Sequence, residues 1–165
     1  MAERKIDLLG VALTIHPSVA VPGLVVAALT ALIANKRPDK ATLAVGSGLL
    51  WYIGDILHTL GHVVSARAAH APMDRIDVGF YPKTVYFNND VSPQQHIGRA
   101  NGGVLASLSA ALVCGTAARL LHGRPAGKFV MVAAIQQALF VLGSLLPLPV
   151  VDGGVILANT RKLRA

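Results

Sequence analysis

Two histidines and an aspartate share one helical face in an apolar part of the sequence. His58 and His62 are four residues apart, and Asp55 lies three residues before His58. In an α-helix this spacing stacks the three side chains on one face, where two imidazoles can share a metal ion. Ionisable groups are costly inside a membrane and tend to mark functional sites there. The pair is therefore a candidate zinc site, with a hydrogen-bonded helix contact as the alternative.

A further candidate ligand, Asp152, follows a helix-breaking segment late in the chain. Two prolines interrupt the last apolar run shortly before it, and two glycines come directly after it. Broken helices occur at membrane depth where their backbone lines a buried cavity. The break can therefore return Asp152 to the face of His58 and His62, giving three ligands and an open fourth position. Taken alone, Asp152 could instead be a turn residue at the membrane interface with no metal-binding role.

The composition is that of a protein with little water-exposed surface. Of the 165 residues, 53% are hydrophobic and 14% are charged, whereas soluble domains average about 25% charged residues. The net charge of +7 comes from short basic groups between apolar runs, a pattern that suits lipid headgroups rather than nucleic acid. We therefore predict an integral, multi-pass protein of the cell membrane, forming a single domain over residues 1–165, with the lipid bilayer and no nucleic acid as partner.

The elements that must position these residues are apolar helices. The chain contains four runs that we consider as transmembrane helices, at residues 19–34, 41–66, 104–121 and 129–146. A spanning helix needs about 20 apolar residues, so the first is short unless residues 8–15 contribute, and these residues could instead form a strand or interfacial segment. Residues 67–99 carry charges and the β-type run Lys83–Phe87, which predicts a loop with a β-hairpin at the membrane surface. Ser92 is expected to begin a short helix there. The predicted fold class is an all-α integral membrane protein with about four transmembrane helices and a small β-hairpin in the loop 67–99.

Four spans would place the N-terminus, the loop 67–99 and the C-terminus on one side of the membrane. That side carries nine Lys and Arg residues, and the other side carries six. The positive-inside rule then favours a cytosolic loop.

The order of these motifs resembles the site-2 protease family of intramembrane zinc metalloproteases. That family has H-E-x-x-H in a transmembrane helix, matched here by His58–His62, and a later N-x-x-P-x-x-x-L-D-G segment, matched by Ser144–Gly153. His16-Pro17 is similar to the entry of the family's first span. Arg99–Gly103 sits where the family often has a small-residue turn that opens its third span. The resemblance covers nearly the whole chain and implies one Zn²⁺ per chain, held by His58, His62 and Asp152.

Two positions depart from the family's pattern. Thr59 stands where the family has its catalytic Glu, which takes a proton from the attacking water and returns it to the leaving amine. A threonine hydroxyl cannot serve as that base near neutral pH, and general acid–base catalysis contributes about 10²–10⁴-fold in rate. Ser144 replaces the family's Asn. We therefore predict a zinc-binding homologue with impaired or absent hydrolysis, which binds a transmembrane-helix substrate or regulates a partner protein.

Other interpretations stay open. Asp55 is a candidate substitute base, a fourth ligand or a partner that orients a histidine, and as a base it would give an active intramembrane protease. If Thr59 is an engineered replacement, glutamate restored at that position would also give an active intramembrane protease. A small ion or metal transporter could use the same polar face, although the sequence lacks the repeats or paired half-helices typical of transporters.

Overall fold

Five α-helices and a four-stranded sheet make up the part of the chain that the structure, a computed structural model, describes. That part comprises residues 5–8 and 10–165, with side chains described from residue 10 onward. In chain order the elements are β1 (Lys5–Leu8), β2 (Val11–Ile15), a 3₁₀ turn (Pro17–Val19), α1 (Ala20–Ile33), α2 (Lys40–Ala68), β3 (Arg75–Val78), β4 (Lys83–Val85), α3 (Pro93–Leu120), α4 (Pro125–Ser144) and α5 (Asp152–Lys162).

The helices α2, α3 and α4 are long and apolar enough to cross a membrane, and within residues 10–165 they alone meet both conditions. Large apolar side chains on them, such as Leu49, Leu112 and Leu142, point outward and are exposed. An apolar exterior is stable in lipid, where helices satisfy their own backbone hydrogen bonds. The prediction of a mostly α-helical integral membrane protein in a lipid bilayer is confirmed. The first predicted span differs, because α1 has 14 residues and falls short of the length that spanning requires.

Glycines allow α2 to approach its neighbours closely. A Cβ atom on Gly61 of α2 would collide with the carbonyl oxygen of Gly102 on α3. Likewise, a Cβ on Gly48 would meet the carbonyl oxygen of Gly23 on α1. Small residues that let backbones approach are common at helix contacts in membranes, where van der Waals packing is a main driving force. The α2–α3 contact brings the histidine face of α2 directly against α3.

The sheet has the order β1-β2-β3-β4, and it packs on the C-terminal part of α2. β2 and β3 are parallel, while β1–β2 and β3–β4 are antiparallel pairs. Val11 and Ile76 from the sheet share a buried cluster with Val63 and Ala66 of α2. The hairpin predicted in the loop 67–99 is thus present as β3–β4. For residues 8–15 the sequence allowed either a strand or an interfacial segment, and the structure shows the strand β2 (Val11–Ile15) within them.

The helix α3 begins earlier than the sequence suggested. Ser92 caps it, accepting a hydrogen bond from the Gln95 backbone, while the Gln95 side chain accepts from the Ser92 backbone. The short helix expected at Ser92 is therefore the first turn of a 28-residue helix. The small-residue turn that the family resemblance implied at Arg99–Gly103 is absent, because these residues lie inside α3. Within this stretch, Gly102 and Gly103 allow close packing against α2 instead of a change of direction.

The segment between α4 and α5 is broken, as the prolines predicted. α4 ends at Ser144, and α5 begins at Asp152 after seven irregular residues. Gly153 packs on the carbonyl oxygens of Leu145 and Leu146, so any larger residue would push α5 away. The first residue of α5, Asp152, is held in this way against the core of the molecule.

Candidate metal centre

Three side chains from two helices converge on one point inside the protein. His58 Nε2 and His62 Nε2 are 3.1 Å apart. Asp152 Oδ2 lies 3.6 Å from His58 Nε2, and Asp152 Oδ1 lies 3.5 Å from His62 Nε2. Both rings are buried, and the Asp152 side chain is 16% exposed. Within residues 10–165 these are the His, Cys, Asp and Glu side chains grouped closely enough to hold a metal ion.

The spacing of these atoms fits a zinc ion. Ligands around a tetrahedral zinc ion lie about 2.0–2.1 Å from the metal, and therefore roughly 3.3 Å from one another. The three distances of 3.1, 3.5 and 3.6 Å bracket that value. Two imidazoles and one carboxylate are also the ligand set of several catalytic zinc sites, in which a fourth position stays open. The residues present fit the metal in both donor type and spacing.

Hydrogen bonds to α3 orient both imidazole rings. His62 Nδ1 lies 3.0 Å from the backbone carbonyl oxygen of Arg99. Because a carbonyl oxygen can only accept, Nδ1 carries the proton, and Nε2 of neutral His62 keeps its lone pair for a metal. His58 Nδ1 lies 3.0 Å from the hydroxyl oxygen of Ser107, which is fully buried. Partners of this kind fix ring orientation at metal sites and raise the basicity of the ligand.

The side chain of Arg99 fixes the backbone that orients His62. Arg99 is 4% exposed, and its guanidinium donates to the carbonyl oxygens of Ala71 and Asn88 and to the Asn89 side chain. The guanidinium also lies 4.0 Å from the centre of the Tyr86 ring. Burial raises the pKa of the Tyr86 hydroxyl above its usual value. Arg99 thus connects the segment after β4 to the helix that carries the His62 partner.

Gly103 provides the space for the two imidazoles. A Cβ atom at this position would collide with Nε2 of both His58 and His62. On the opposite side, the His58 ring stacks on Phe140 of α4 at a centroid distance of 5.7 Å. The site is therefore enclosed by α3 and α4, with the ligands supplied by α2 and α5.

A cavity of about 690 Å³ leads to the three ligands. Its wall includes the residues that connect β3 to β4, among them Tyr81 and Pro82, and an apolar surface from Trp51 and Phe140. The cavity therefore has both polar and apolar walls beside the three ligands.

The remaining residues singled out in the sequence also line this cavity. Thr59, 7% exposed, follows His58 directly, and Ser144 ends α4 on the opposite wall. Asp55 lines the cavity as well but lies outside the group of three ligand atoms. Asp55 is also not the partner that orients a histidine, because the Nδ1 atoms of His58 and His62 lie against the Ser107 hydroxyl and the Arg99 carbonyl oxygen. The structure thus brings all six residues to one cavity, with Asp55 away from the ligand positions.

Three features of the site were not singled out from the sequence. These are the Ser107 hydroxyl, the Arg99 carbonyl oxygen and the open space at Gly103. No local pattern marks Ser107, since it is one of two serines in an apolar helix. The pair Gly102-Gly103 is expected from the sequence to permit either a tight turn or a close helix approach, and the structure shows the close approach.

The bundle of apolar helices defines a membrane protein, and its buried His-His-Asp group is a candidate metal site. No protein-family model matches the chain, and no curated protein sequence matches it. Among solved structures, the chain is similar to the site-2 protease from Methanocaldococcus jannaschii, with a TM-score of 0.70 and 16% sequence identity. The match covers 99% of this chain and 73% of that one. The chain therefore has the site-2 protease fold, and the fold implied by the sequence resemblance is confirmed.

Proposed function

We propose that the chain is a zinc-binding homologue of the site-2 proteases with impaired or absent peptide hydrolysis. It would form one multi-pass domain in the cell membrane and bind a transmembrane helix, either as a poor substrate or as a regulated partner. One observation carries the proposal. His58, His62 and Asp152 meet at the spacing of zinc ligands. By the resemblance to the H-E-x-x-H motif, Thr59 takes the place of the family's base.

Each part of the site has a chemical role in this proposal. Bound zinc would polarise a carbonyl group and lower the pKa of water. His58 and His62 offer Nε2 lone pairs, and Ser107 and the Arg99 carbonyl keep the two rings in the required orientation. The Thr59 hydroxyl can donate or accept a hydrogen bond, but it cannot take up a proton near neutral pH. Binding is therefore retained while proton transfer is lost.

A second candidate is an active protease that uses Asp55 as its base. The supporting observation is that Asp55 lines the same cavity as the ligands. A base must reach the water that it activates, directly or through one further water. Under this candidate, the wild type cleaves a helical transmembrane substrate and Asp55→Asn abolishes that cleavage. Under the leading proposal, neither protein cleaves the substrate.

The metal content of detergent-purified protein tests the leading proposal. We expect about one zinc per chain in the wild type and none in His58→Ala or Asp152→Ala, because each variant removes one of only three ligands. His122→Ala and Asp90→Ala are matched controls, since both residues are exposed and distant from the ligand group. Wild-type protein without zinc, after purification free of chelators, would contradict the proposal.

A further inference from the structure

A carboxylate without a partner lines the cavity of the metal centre. The Asp55 side chain is half-buried there, and within residues 10–165 it makes no hydrogen bond and no ion pair. The other charged residues of the cavity differ from it. Asp152 faces the two histidines, and the Lys83 ammonium lies 5.0 Å from the centre of the Tyr81 ring. Ionisable groups are costly in a membrane-spanning helix, so an unpaired one marks a functional contact.

Asp55 lies near the middle of α2. It is 15 residues after Lys40 and 12 residues before Arg67, which corresponds to roughly 22 Å and 18 Å along the helix. Charged lipid headgroups at the two ends of α2 are therefore too distant to neutralise it. Asp55 is also one turn before His58, on the side away from the sheet, which packs on the C-terminal part of α2. Lys83 belongs to that sheet and lies on its side of the ligands.

The cavity reaches the membrane-facing surface of the protein. Leu139 of α4 and Val150 both line the cavity, and they are 56% and 80% exposed. Trp51 and Phe140 add an aromatic wall, with their ring centroids 4.6 Å apart. Apolar walls that border lipid suit the side chains of a second transmembrane helix, which packs by van der Waals contact.

The chemistry of Asp55 defines what such a helix must carry. Asp55 belongs to no group of three metal-ligating side chains within residues 10–165, and a hard cation needs six or more oxygen ligands. A metal ion is therefore not its partner, and bound zinc would have its own carboxylate in Asp152. Charged groups inside membranes pair with one another. Basic side chains near the ends of a helix extend to the interface, so the matching group is a central one.

We propose that this cavity selects a transmembrane helix that carries a Lys or Arg side chain near its middle, and that Asp55 pairs with this side chain. Apolar side chains of the same helix pack on Trp51 and Phe140, and an adjacent turn faces the three ligands. The inference rests on the proposed binding of a transmembrane helix. It gives Asp55 a role in recognition rather than in proton transfer.

Peptide binding to the full chain in phosphatidylcholine nanodiscs tests this selectivity. The probes are synthetic leucine-rich transmembrane peptides with Lys, Gln or Leu at the central position and a dansyl group beside it. Trp51 is the single tryptophan of the chain and lines the cavity, so energy transfer from Trp51 to dansyl reports binding near this site. We expect the Lys peptide to bind about tenfold more tightly than the Gln peptide. General electrostatic attraction predicts the opposite order, because the protein has a net charge of +7.

Two variants of matched size assign the preference to one carboxylate. Asp55→Asn should bind the Lys and Gln peptides equally, because it removes the charge and keeps the shape. Asp90→Asn removes the same charge from an exposed position and should keep the tenfold preference. A preference that survives Asp55→Asn, or that disappears in Asp152→Asn while Asp55→Asn retains it, would overturn the assignment.

Zinc content, measured in the same samples, separates this inference from the proposed function. Asp55→Asn should keep its zinc, because Asp55 lies outside the ligand group. Zinc-free wild type with an Asp55-dependent preference would contradict zinc binding and support the selectivity. Zinc-loaded wild type that binds the three peptides equally would overturn the selectivity alone. Wild type that binds none of the peptides would contradict both the selectivity and the proposed binding of a helix.

Discussion

Under the proposed function, the side chain at position 59 separates zinc binding from zinc-dependent hydrolysis. Thr59 is buried beside His58 and faces the cavity of the metal centre. Its hydroxyl is too weakly basic to activate water, whereas a carboxylate at the same place could do so. The three ligands do not depend on this side chain for their hydrogen bonds. At the scale of the residue, binding and catalysis are therefore separable.

The variant Thr59→Glu should gain hydrolysis of a helical transmembrane substrate. We expect an increase of about 10²–10⁴-fold over the wild type, which is the usual contribution of a positioned general base. Thr59→Gln is the matched control, because it has the same length and cannot take up a proton. Zinc content should be the same in all three proteins. A zinc-loaded Thr59→Glu protein as inactive as Thr59→Gln would show that more than the base is missing.

The hydrogen bond between Ser107 and His58 should contribute to zinc affinity. Ser107→Ala removes the partner of His58 Nδ1 and frees the ring to rotate, so we expect zinc affinity to fall by about 10–100-fold. Competition with a fluorescent zinc chelator measures this change. Ser109→Ala is the control, since Ser109 lies on the same helix and is exposed. Equal affinities of the two variants would exclude a role for Ser107 in positioning the ring.

At the scale of the element, the approach of α3 to α2 determines whether the histidines have room. α3 places Gly103 against both rings and Gly102 against Gly61 of α2. It also supplies the Arg99 carbonyl and the Ser107 hydroxyl at the spacing that the two rings require. One helix thus provides both the space and the hydrogen bonds for ligands that belong to another.

Gly103→Ala should disrupt the metal centre without unfolding the helix. The added methyl group collides with Nε2 of both histidines, while alanine favours helix over glycine by about 1 kcal/mol. We expect zinc content to fall to a small fraction of the wild-type value, with unchanged helix content by circular dichroism. Gly115→Ala is the control in the same helix, because a Cβ there meets nothing within 4 Å. Wild-type zinc content in Gly103→Ala would contradict the described geometry.

At the scale of the whole molecule, contacts between helix ends define two sides. The Gln95 side chain at the start of α3 donates to the carbonyl oxygens of Ala69 and His70 at the end of α2. At the opposite end, Lys128 of α4 pairs with Asp39, which precedes α2. Arg37 and Lys128 lower the pKa of Asp39 to about 2, so this ion pair persists over the physiological pH range. The three long helices therefore alternate in direction.

Cysteine labelling should reveal this alternation in intact vesicles. In a Cys114→Ala background, we expect Asp90→Cys and Arg164→Cys to be labelled from one side of the membrane. Lys36→Cys and His122→Cys should be labelled only from the other side. All four positions are exposed. Labelling of all four from a single side would rule out three membrane crossings by α2, α3 and α4.

The sequence by itself determined the features that depend on composition and on short spacings. A low share of charged residues excludes a large wetted surface, and this is enough to predict the bilayer. The i, i+4 spacing of His58 and His62 places both on one face of a helix wherever that helix lies. The prolines before Asp152 predict a broken helix, because proline cannot continue the hydrogen-bond ladder.

Only the tertiary structure decided how these local features meet. The hydrogen bonds of His58 and His62 come from Ser107 and Arg99, which are 49 and 37 residues away in sequence. Periodicity within one helix contains no information about the register of a second helix beside it. The turn that the resemblance implied at Arg99–Gly103 is absent for the same reason, since small residues suit both a turn and a close helix contact. In the structure α3 continues through these residues, and its Arg99 carbonyl and Ser107 hydroxyl reach the two imidazoles.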